Sequence, residues 1–304
     1  MEYVLDTKGL QKKYGSLTVL NNVNMHIPKG AIYGFVGKNG AGKTTLIRLI
    51  CGLQFPTSGE YSLFGISNTS GEIIKGRKRM GAVVETPSIY LDMSAEDNLK
   101  EQHRILGLPS FETIPDLLRL VGLEGTGKKK AKNFSLGMRQ RLGIAIALAG
   151  NPDFLVLDEP ANGLDPEGII EMRELILKLN REKDITVLIS SHILDELSRL
   201  ATHYGFIDHG AILKEISAEN LETACRKCLC VTVSDIPALC VTLDAAEVEY
   251  RVLSETKAEI YSSICVTDLV EALSANGCVI SNLHEREEGL ESYYMNLIGG
   301  THHE

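Results

Sequence analysis

The chain has no hydrophobic stretch long enough to cross a bilayer. Its longest apolar run, Leu142-Gly143-Ile144-Ala145-Ile146-Ala147-Leu148-Ala149, falls far short of the ~20 residues a spanning helix needs. Export features are missing too: Met1-Glu2-Tyr3-Val4-Leu5-Asp6 offers neither a basic nor an apolar leader segment. Any task at a membrane therefore passes through a partner. There is no excess of positive charge, since 31 Lys and Arg face 40 Asp and Glu for a net charge of −9. That balance argues against a nucleic-acid partner. Seven cysteines, an odd count without a leader, read as reduced thiols of a cytosolic protein rather than a disulfide framework. Cys225-x-x-Cys228-x-Cys230 has spacing that invites a metal, but no second Cys or His pair stands at zinc-finger distance. Residues 228–233 look like a strand, so buried apolar thiols are the expectation. His302-His303 reads as a frayed tail rather than a ligand pair.

At 304 residues, 44% hydrophobic and 23% charged, the composition is that of a globular protein of one large domain or two ordinary ones. One stretch dominates it. Gly37-Lys38-Asn39-Gly40-Ala41-Gly42-Lys43-Thr44-Thr45 fits the phosphate-binding template G-x-x-x-x-G-K-[ST] at every fixed position. Ala31 to Val36 before it read as a short buried strand, while Leu46, Leu49, Ile50 and Leu53 after it recur at helical spacing. That setting lets loop amides and a helix N-terminus converge on one set of phosphates. Lys43 supplies a point charge for the β- and γ-phosphates, and the Thr44 hydroxyl suits Mg²⁺.

Residues 1 to about 30 alternate polar and apolar and close on Pro28-Lys29-Gly30, as short antiparallel strands do. Gly59 to Gly65 add another strand, and Gly81 to Val84 a buried one. Ser94, with Asp97 three residues on, caps an expected helix whose face carries Leu99, His103 and Leu106. The run Lys128-Lys129-Lys130-Ala131-Lys132 reads as a solvated loop. Ser135 then caps a helix that buries Leu142, Ile146 and Ala149 and stops at Asn151-Pro152. Phe154 to Asp158 form an apolar strand, and Asp165-Pro166 start the next helix, with Met172, Leu175, Ile176 and Leu179 inward. Thr186 to Ser190 form a third buried strand. Such strands alternating with helices indicate a parallel α/β sheet. After about Glu215 the pattern becomes β-α-β-β-α-β, with strands at 228–233, 249–253, 258–261 and 277–283 and helices at 236–245 and 266–276. This predicts a small split-βαβ domain.

Asp158 and Glu159 close a buried strand at the carboxyl edge, where open α/β sheets bind ligands. Phosphoryl transfer needs a carboxylate to hold Mg²⁺ and a second group to orient the attacking water. Asp158 suits the first role and Glu159 the second. His192, at the exit of the neighbouring strand in Ser190-Ser191-His192, stands within reach of the γ-phosphate.

Together these residues resemble the ATP-binding subunit of ATP-binding cassette (ABC) transporters, over roughly residues 3 to 215 and in the family's motif order. Tyr14 in Lys12-Lys13-Tyr14-Gly15 is similar to the aromatic that stacks on adenine. Gly37 to Thr45 match Walker A, Leu155 to Glu159 match Walker B, Asn162 to Asp165 the D-loop, and His192 the switch histidine. Ser135 to Gln140 match the signature segment, with Ser135 and Gly137 as its anion-facing groups. The resemblance implies ATP and Mg²⁺, with Gly37, Asn39, Gly40, Ala41, Gly42, Lys43, Thr44, Thr45, Tyr14, Ser135, Gly137 and Asp165 around the nucleotide. It implies Thr44, Asp158 and Glu85 near the metal, and Glu159, His192 and Lys43 in catalysis. It implies as partners a separate integral-membrane permease and a second ATPase subunit in a head-to-tail pair, at the cytoplasmic face of the membrane.

Two positions depart from the family pattern. The signature reads Phe134-Ser135-Leu136-Gly137-Met138, and the Q-loop position is Glu85. Both look like the bacitracin- and lantibiotic-type exporter branch. The expected fold is an α/β P-loop NTPase over residues 1–215, with an antiparallel β subdomain and a helical subdomain at about 87–150. A small α+β accessory domain, for assembly or regulation, follows at 216–304. There the helix face Leu290, Tyr293, Tyr294 and Leu297 packs on its own domain or docks on a neighbour. A non-transport ABC ATPase of translation or DNA repair is the rival. The gap between Walker A and signature leaves no room for the coiled coil of repair members, and one Walker A excludes the two-cassette translation type.

Overall fold

The computed structural model describes residues 2–225, 228–261, 264–286 and 290–300, so His302 and His303 lie outside the described residues. The chain divides into two compact units at Ala218/Glu219, just beyond Glu215.

The first unit opens with two long strands, β1 (Tyr3–Tyr14) and β2 (Leu17–Pro28), paired antiparallel. β3 (Ile32–Val36), buried throughout, runs into the glycine loop and α1 (Lys43–Ile50). β4 (Ser58–Leu63) and β5 (Ile66–Ser67) complete a sheet of order β2-β1-β4-β5. After α2 (Ile73–Lys78) and β6 (Met80–Val83) comes the helical segment, α3 (Ala95–Leu106), α4 (Ile114–Leu120) and α5 (Leu136–Leu148). The chain then alternates through β7 (Phe154–Asp158), α6 (Pro166–Lys183), β8 (Thr186–Ser191) and α7 (Leu194–Ser198). β9 (His203–Asp208) and β10 (Ala211–Ser217) close the unit.

The second sheet has the order β10-β9-β3-β8-β7-β6, parallel except for the edge strand β10. Its parallel run reads as continuous hydrophobics because both faces are covered, one of them by α1 and the antiparallel sheet. Crossovers leave the ends of β3, β6, β7 and β8 at one carboxyl edge. Glu215 on β10 ties the sheets together. It accepts hydrogen bonds from the Tyr33 hydroxyl (2.6 Å) and the His26 amide (2.8 Å), and meets His26 Nδ1 at 2.7 Å. Burial, then the charge of Glu215, push the Tyr33 hydroxyl's pKa well above its usual 10.0.

The local signals act as the physics requires. The Ser94 hydroxyl caps α3 by accepting from the Asp97 amide (3.1 Å) while donating to its carboxylate (2.7 Å). Leu99 and His103 of that helix are buried, but Leu106 is 45% exposed. The helix ends there, and Gly107 in the left-handed conformation turns the chain away before Leu106 meets the core. On α5, Leu142 and Ala149 are buried as expected, with Ile144, Ala145 and Leu148 joining them, while Ile146 is only half-buried. On α6 all four expected residues are buried.

The second unit holds α8 (Ala218–Ala224), β11 (Cys228–Val233), α9 (Ile236–Ala245), β12 (Tyr250–Val252) and β13 (Lys257–Ile260). It ends with α10 (Val266–Ala275), β14 (Ile280–Arg286) and α11 (Leu290–Gly300). The strand order β12-β13-β11-β14, antiparallel throughout, is the split-βαβ arrangement. Leu229, Val231, Ala258 and Ile260 pack with Leu239 and Leu243 of α9 and Leu269 and Leu273 of α10, and Cys278 joins this core. On α11, Tyr294 and Ile298 are buried and Leu290, Tyr293 and Leu297 half-buried. The apolar stripe is thus largely covered within the chain itself. No described helix is long and apolar enough to cross a membrane.

Candidate functional site

The glycine loop is shaped by close packing. A Cβ at Gly37 would stand 2.6 Å from the Ile207 carbonyl oxygen, and one at Gly42 would stand 2.7 Å from Leu20 Cδ2. Gly42 also has φ 111°, a conformation that disfavours any side chain. Gly40 is left-handed as well, at φ 84°. The loop therefore folds back over the start of α1, with Ala41 and Gly42 buried and Lys38, Asn39 and Gly40 exposed.

Lys43 is buried at the loop's centre, its ammonium donating to the carbonyls of Gly37 (2.6 Å) and Lys38 (3.3 Å). A buried cation needs an anion, and it has one: Glu159 Oε1 lies 3.3 Å away. Glu159 gets there by an unusual route. Immediately after β7 its backbone turns left-handed, at φ 48°, a strained state for a residue with a side chain. The turn is held because the Glu159 amide donates to both the Ser190 carbonyl (3.1 Å) and Oγ (3.0 Å). The other carboxylate oxygen meets His192 Nδ1 at 2.9 Å. Lys43, Glu159 and His192 thus form one continuous chain of contacts.

Asp158 is buried at the end of β7 and accepts from the Ser190 hydroxyl at 2.5 Å. Ser190, fully buried and opposite Asp158 in the β7·β8 register, therefore positions both carboxylates. Sequence reasoning placed Ser190 only at a strand exit and gave it no role. Its signal was its place two residues before His192. Thr44 and Thr45 are half-buried at the first turn of α1, on the same edge of the sheet.

Glu85 follows β6, the strand beside β7, and so lies at the carboxyl edge of the sheet. Its carboxylate, however, pairs with Arg48 of α1 at 2.7 Å and is largely exposed. Tyr14 is exposed at the end of β1, its hydroxyl bonded to Gln54 and the Lys12 ammonium 5.0 Å from its ring centre. The outward ring is free to take a flat, π-rich ligand.

Ser135 caps α5, accepting from the Met138 amide at 3.2 Å, and remains exposed. Asp165 caps α6, accepting from the Gly168 amide at 3.2 Å. The two helix starts interlock. A Cβ on Gly137 would meet Leu164 Cδ2 at 3.6 Å, and one on Gly163 would meet Leu136 Cδ2 at 3.2 Å. The exposed N-terminus of α5 is suited to an anion.

A loop of amides, a buried lysine, a strand-end aspartate and a poised glutamate are the parts of a site that binds and hydrolyses a nucleoside triphosphate. The profile of the ABC transporter family matches residues 20–162. The chain belongs to that family, as an ATP-binding subunit with ATPase activity. It is 40% identical to the bacitracin transport ATP-binding protein of Bacillus licheniformis over 99% of each chain. It is also 46% identical to a lantibiotic transport ATP-binding protein of Streptococcus pyogenes, over 72% of this chain and 94% of the relative. Among solved structures, a dimeric bacterial ABC transporter cassette superposes with a TM-score of 0.64 at 26% identity, over 70% of this chain and 98% of that one.

Proposed function

We propose that this ATPase drives export of peptide antibiotics of the bacitracin or lantibiotic kind through a separate integral-membrane permease. It works at the cytoplasmic face, as one of two subunits paired head to tail. The observation that carries this reading is the reach of the similarity. Relatives named for bacitracin transport match this chain across 99% of its length, accessory unit included.

In this reading Tyr14 stacks on adenine and the loop from Gly37 to Thr45 wraps the phosphates. Lys43 exchanges its carboxylate partner for phosphate oxygens. The Thr44 hydroxyl and Asp158 hold Mg²⁺. The donors fit: a buried carboxylate with one oxygen fixed by Ser190 and a hydroxyl in the first turn of α1 are hard oxygen ligands. Bound there, Mg²⁺ neutralises charge developing on the transferred phosphoryl group. Glu85 joins this set only after parting from Arg48. Glu159, released from Lys43, accepts the proton of the attacking water, and His192 orients it. Ser135 and Gly137 present the start of α5 to the nucleotide of the second subunit, with Asp165 at the same junction. The unit beyond Ala218 serves assembly or regulation.

The test is resistance. Expressed with its permease in a sensitive host, the wild-type chain should raise the inhibitory concentration of bacitracin or a lantibiotic, and Glu159→Gln should not. Unchanged sensitivity to both peptide classes, with ATP hydrolysis by the assembled complex intact, would overturn the substrate assignment.

A further inference from the structure

In β11 the side chains alternate between two faces. Leu229, Val231 and Val233 join the core backed by α9 and α10, so Cys228, Cys230 and Thr232 turn to the other face. There the register sets Glu259 of β13 on one side of Cys230 and His284 of β14 on the other. The sulfurs of Cys228 and Cys230 lie 3.8 Å apart. With a carboxylate oxygen of Glu259, all three ligand atoms fall within 4.8 Å of one another. This is no solvent-washed cluster, because Cys228 is 2% and Glu259 5% exposed.

We propose that Cys228, Cys230 and Glu259 form a binding site for a thiophilic divalent cation such as zinc. Two thiolates bound tetrahedrally at about 2.3 Å must stand about 3.8 Å apart, which is the separation the strand already holds. Both sulfurs project from alternate positions of the central strand, so little backbone ordering is left to do on binding. The Tyr261 hydroxyl donates to Glu259 Oε2 at 2.5 Å and orients the carboxylate, as the outer partners of metal ligands do. Each sulfur gives a lone pair to the metal and its proton to solvent, so binding releases two protons and strengthens as pH rises. Water would complete the coordination, since the exposed His284 shares only the backbone register with Cys230 and is not among the three grouped ligands. The sequence pattern alone argued for inert thiols. What changes the reading is Glu259, which is distant in sequence and adjacent only through the sheet.

The experiment uses the full reduced chain without nucleotide, titrated with Cd²⁺ while the ultraviolet sulfur-to-metal charge-transfer band is followed, and with Zn²⁺ in competition with a chromophoric chelator. One equivalent should bind with the intensity of two thiolates, and two of the seven thiols should become protected from alkylation. The Cys228→Ser/Cys230→Ser double variant should lose the band. Cys230→Ser, at the less buried position, should lose about half of it. Glu259→Gln should weaken Zn²⁺ at least about tenfold, as loss of a ligand or its orienting partner does. A cooperative melt of the second unit, retained in each variant, reports that the fold around the site is intact. The proposal is overturned if the wild type gives no band with all thiols reduced, or if the band survives in the double variant. Unchanged Zn²⁺ affinity in Glu259→Gln would overturn the carboxylate's part and assign that residue to its cross-strand neighbour Arg251.

Discussion

Glu159→Gln tests the contact that defines the resting site. The carboxylate stands 3.3 Å from the Lys43 ammonium, with side-chain exposures of 21% and 4%. Unit charges at that distance attract by about 5 kcal/mol at an effective dielectric of about 20. Solvent screening and the cost of desolvating both groups remove most of this. If about 1.5 kcal/mol survives, it opposes every anion that would take Lys43, since the phosphates must first displace the carboxylate. The amide of Gln keeps the shape and drops the charge, so a nonhydrolysable ATP analogue should bind about tenfold more tightly. Turnover should fall by a hundredfold or more, because the group that accepts the water's proton is gone. The assay is a fluorescence titration at fixed Mg²⁺ and at protein concentrations below self-association, paired with phosphate release. His192→Ala is the control. It removes the other contact of Glu159 and leaves the Lys43 pair, so analogue affinity should stay within about twofold while turnover drops. Analogue binding that is unchanged or weaker in Glu159→Gln would refute the competition, and normal turnover would remove Glu159 as the base.

Ser190→Ala deletes the buried hydroxyl that serves both Asp158 and the Glu159 amide, at a cost of about 1–3 kcal/mol. It should lower the first unit's melting temperature by roughly 2–12 °C and raise the Mg²⁺ concentration needed for half-maximal hydrolysis. An unchanged melting curve would count against the bridge. Tyr33→Phe addresses pH. The native hydroxyl keeps its proton beyond pH 10 while the unfolded one releases it near 10.0. The resulting stability is therefore complete below that pH and declines above it, by up to about 1.4 kcal/mol per pH unit. The Phe variant should be less stable at neutral pH, for loss of the Glu215 bond, yet should lack that alkaline decline in denaturant titrations. Parallel alkaline slopes would contradict the assignment. A chain truncated after Ala218 should bind the ATP analogue within about twofold of the full chain, since every nucleotide-site residue precedes the cut. Loss of binding in a truncation with a cooperative melt would refute the independence of the two units.

What the sequence revealed, it revealed through short-range rules. The phosphate loop announces itself by fixed glycine spacing, α3 and α6 by their caps and apolar faces, and the split-βαβ unit by its order of periods. Pairing across the sheet was invisible. Ser190 matters because β8 lies beside β7, and no local pattern records that adjacency. Glu85 was read only as the Q-loop position near the metal, and its pairing with Arg48 depends on where α1 begins relative to β6. Period-two alternation put Cys228 and Cys230 on a common face. It could not say that the helices would cover the opposite one, leaving the thiols beside Glu259.

The interlock between the starts of α5 and α6 has a mechanical consequence. Leu164 rests on Gly137, and Leu136 on Gly163, so each loop supplies a knob and the other the bare backbone that receives it. The two helix starts therefore meet at backbone level, and at Gly163 a side chain would crowd Leu136. The segment Asn162 to Asp165 that meets the start of α5 is joined through Pro160 to the strained turn at Glu159. The catalytic turn and the exposed helix start are thus linked by a short stretch of chain whose packing rests on two residues without side chains.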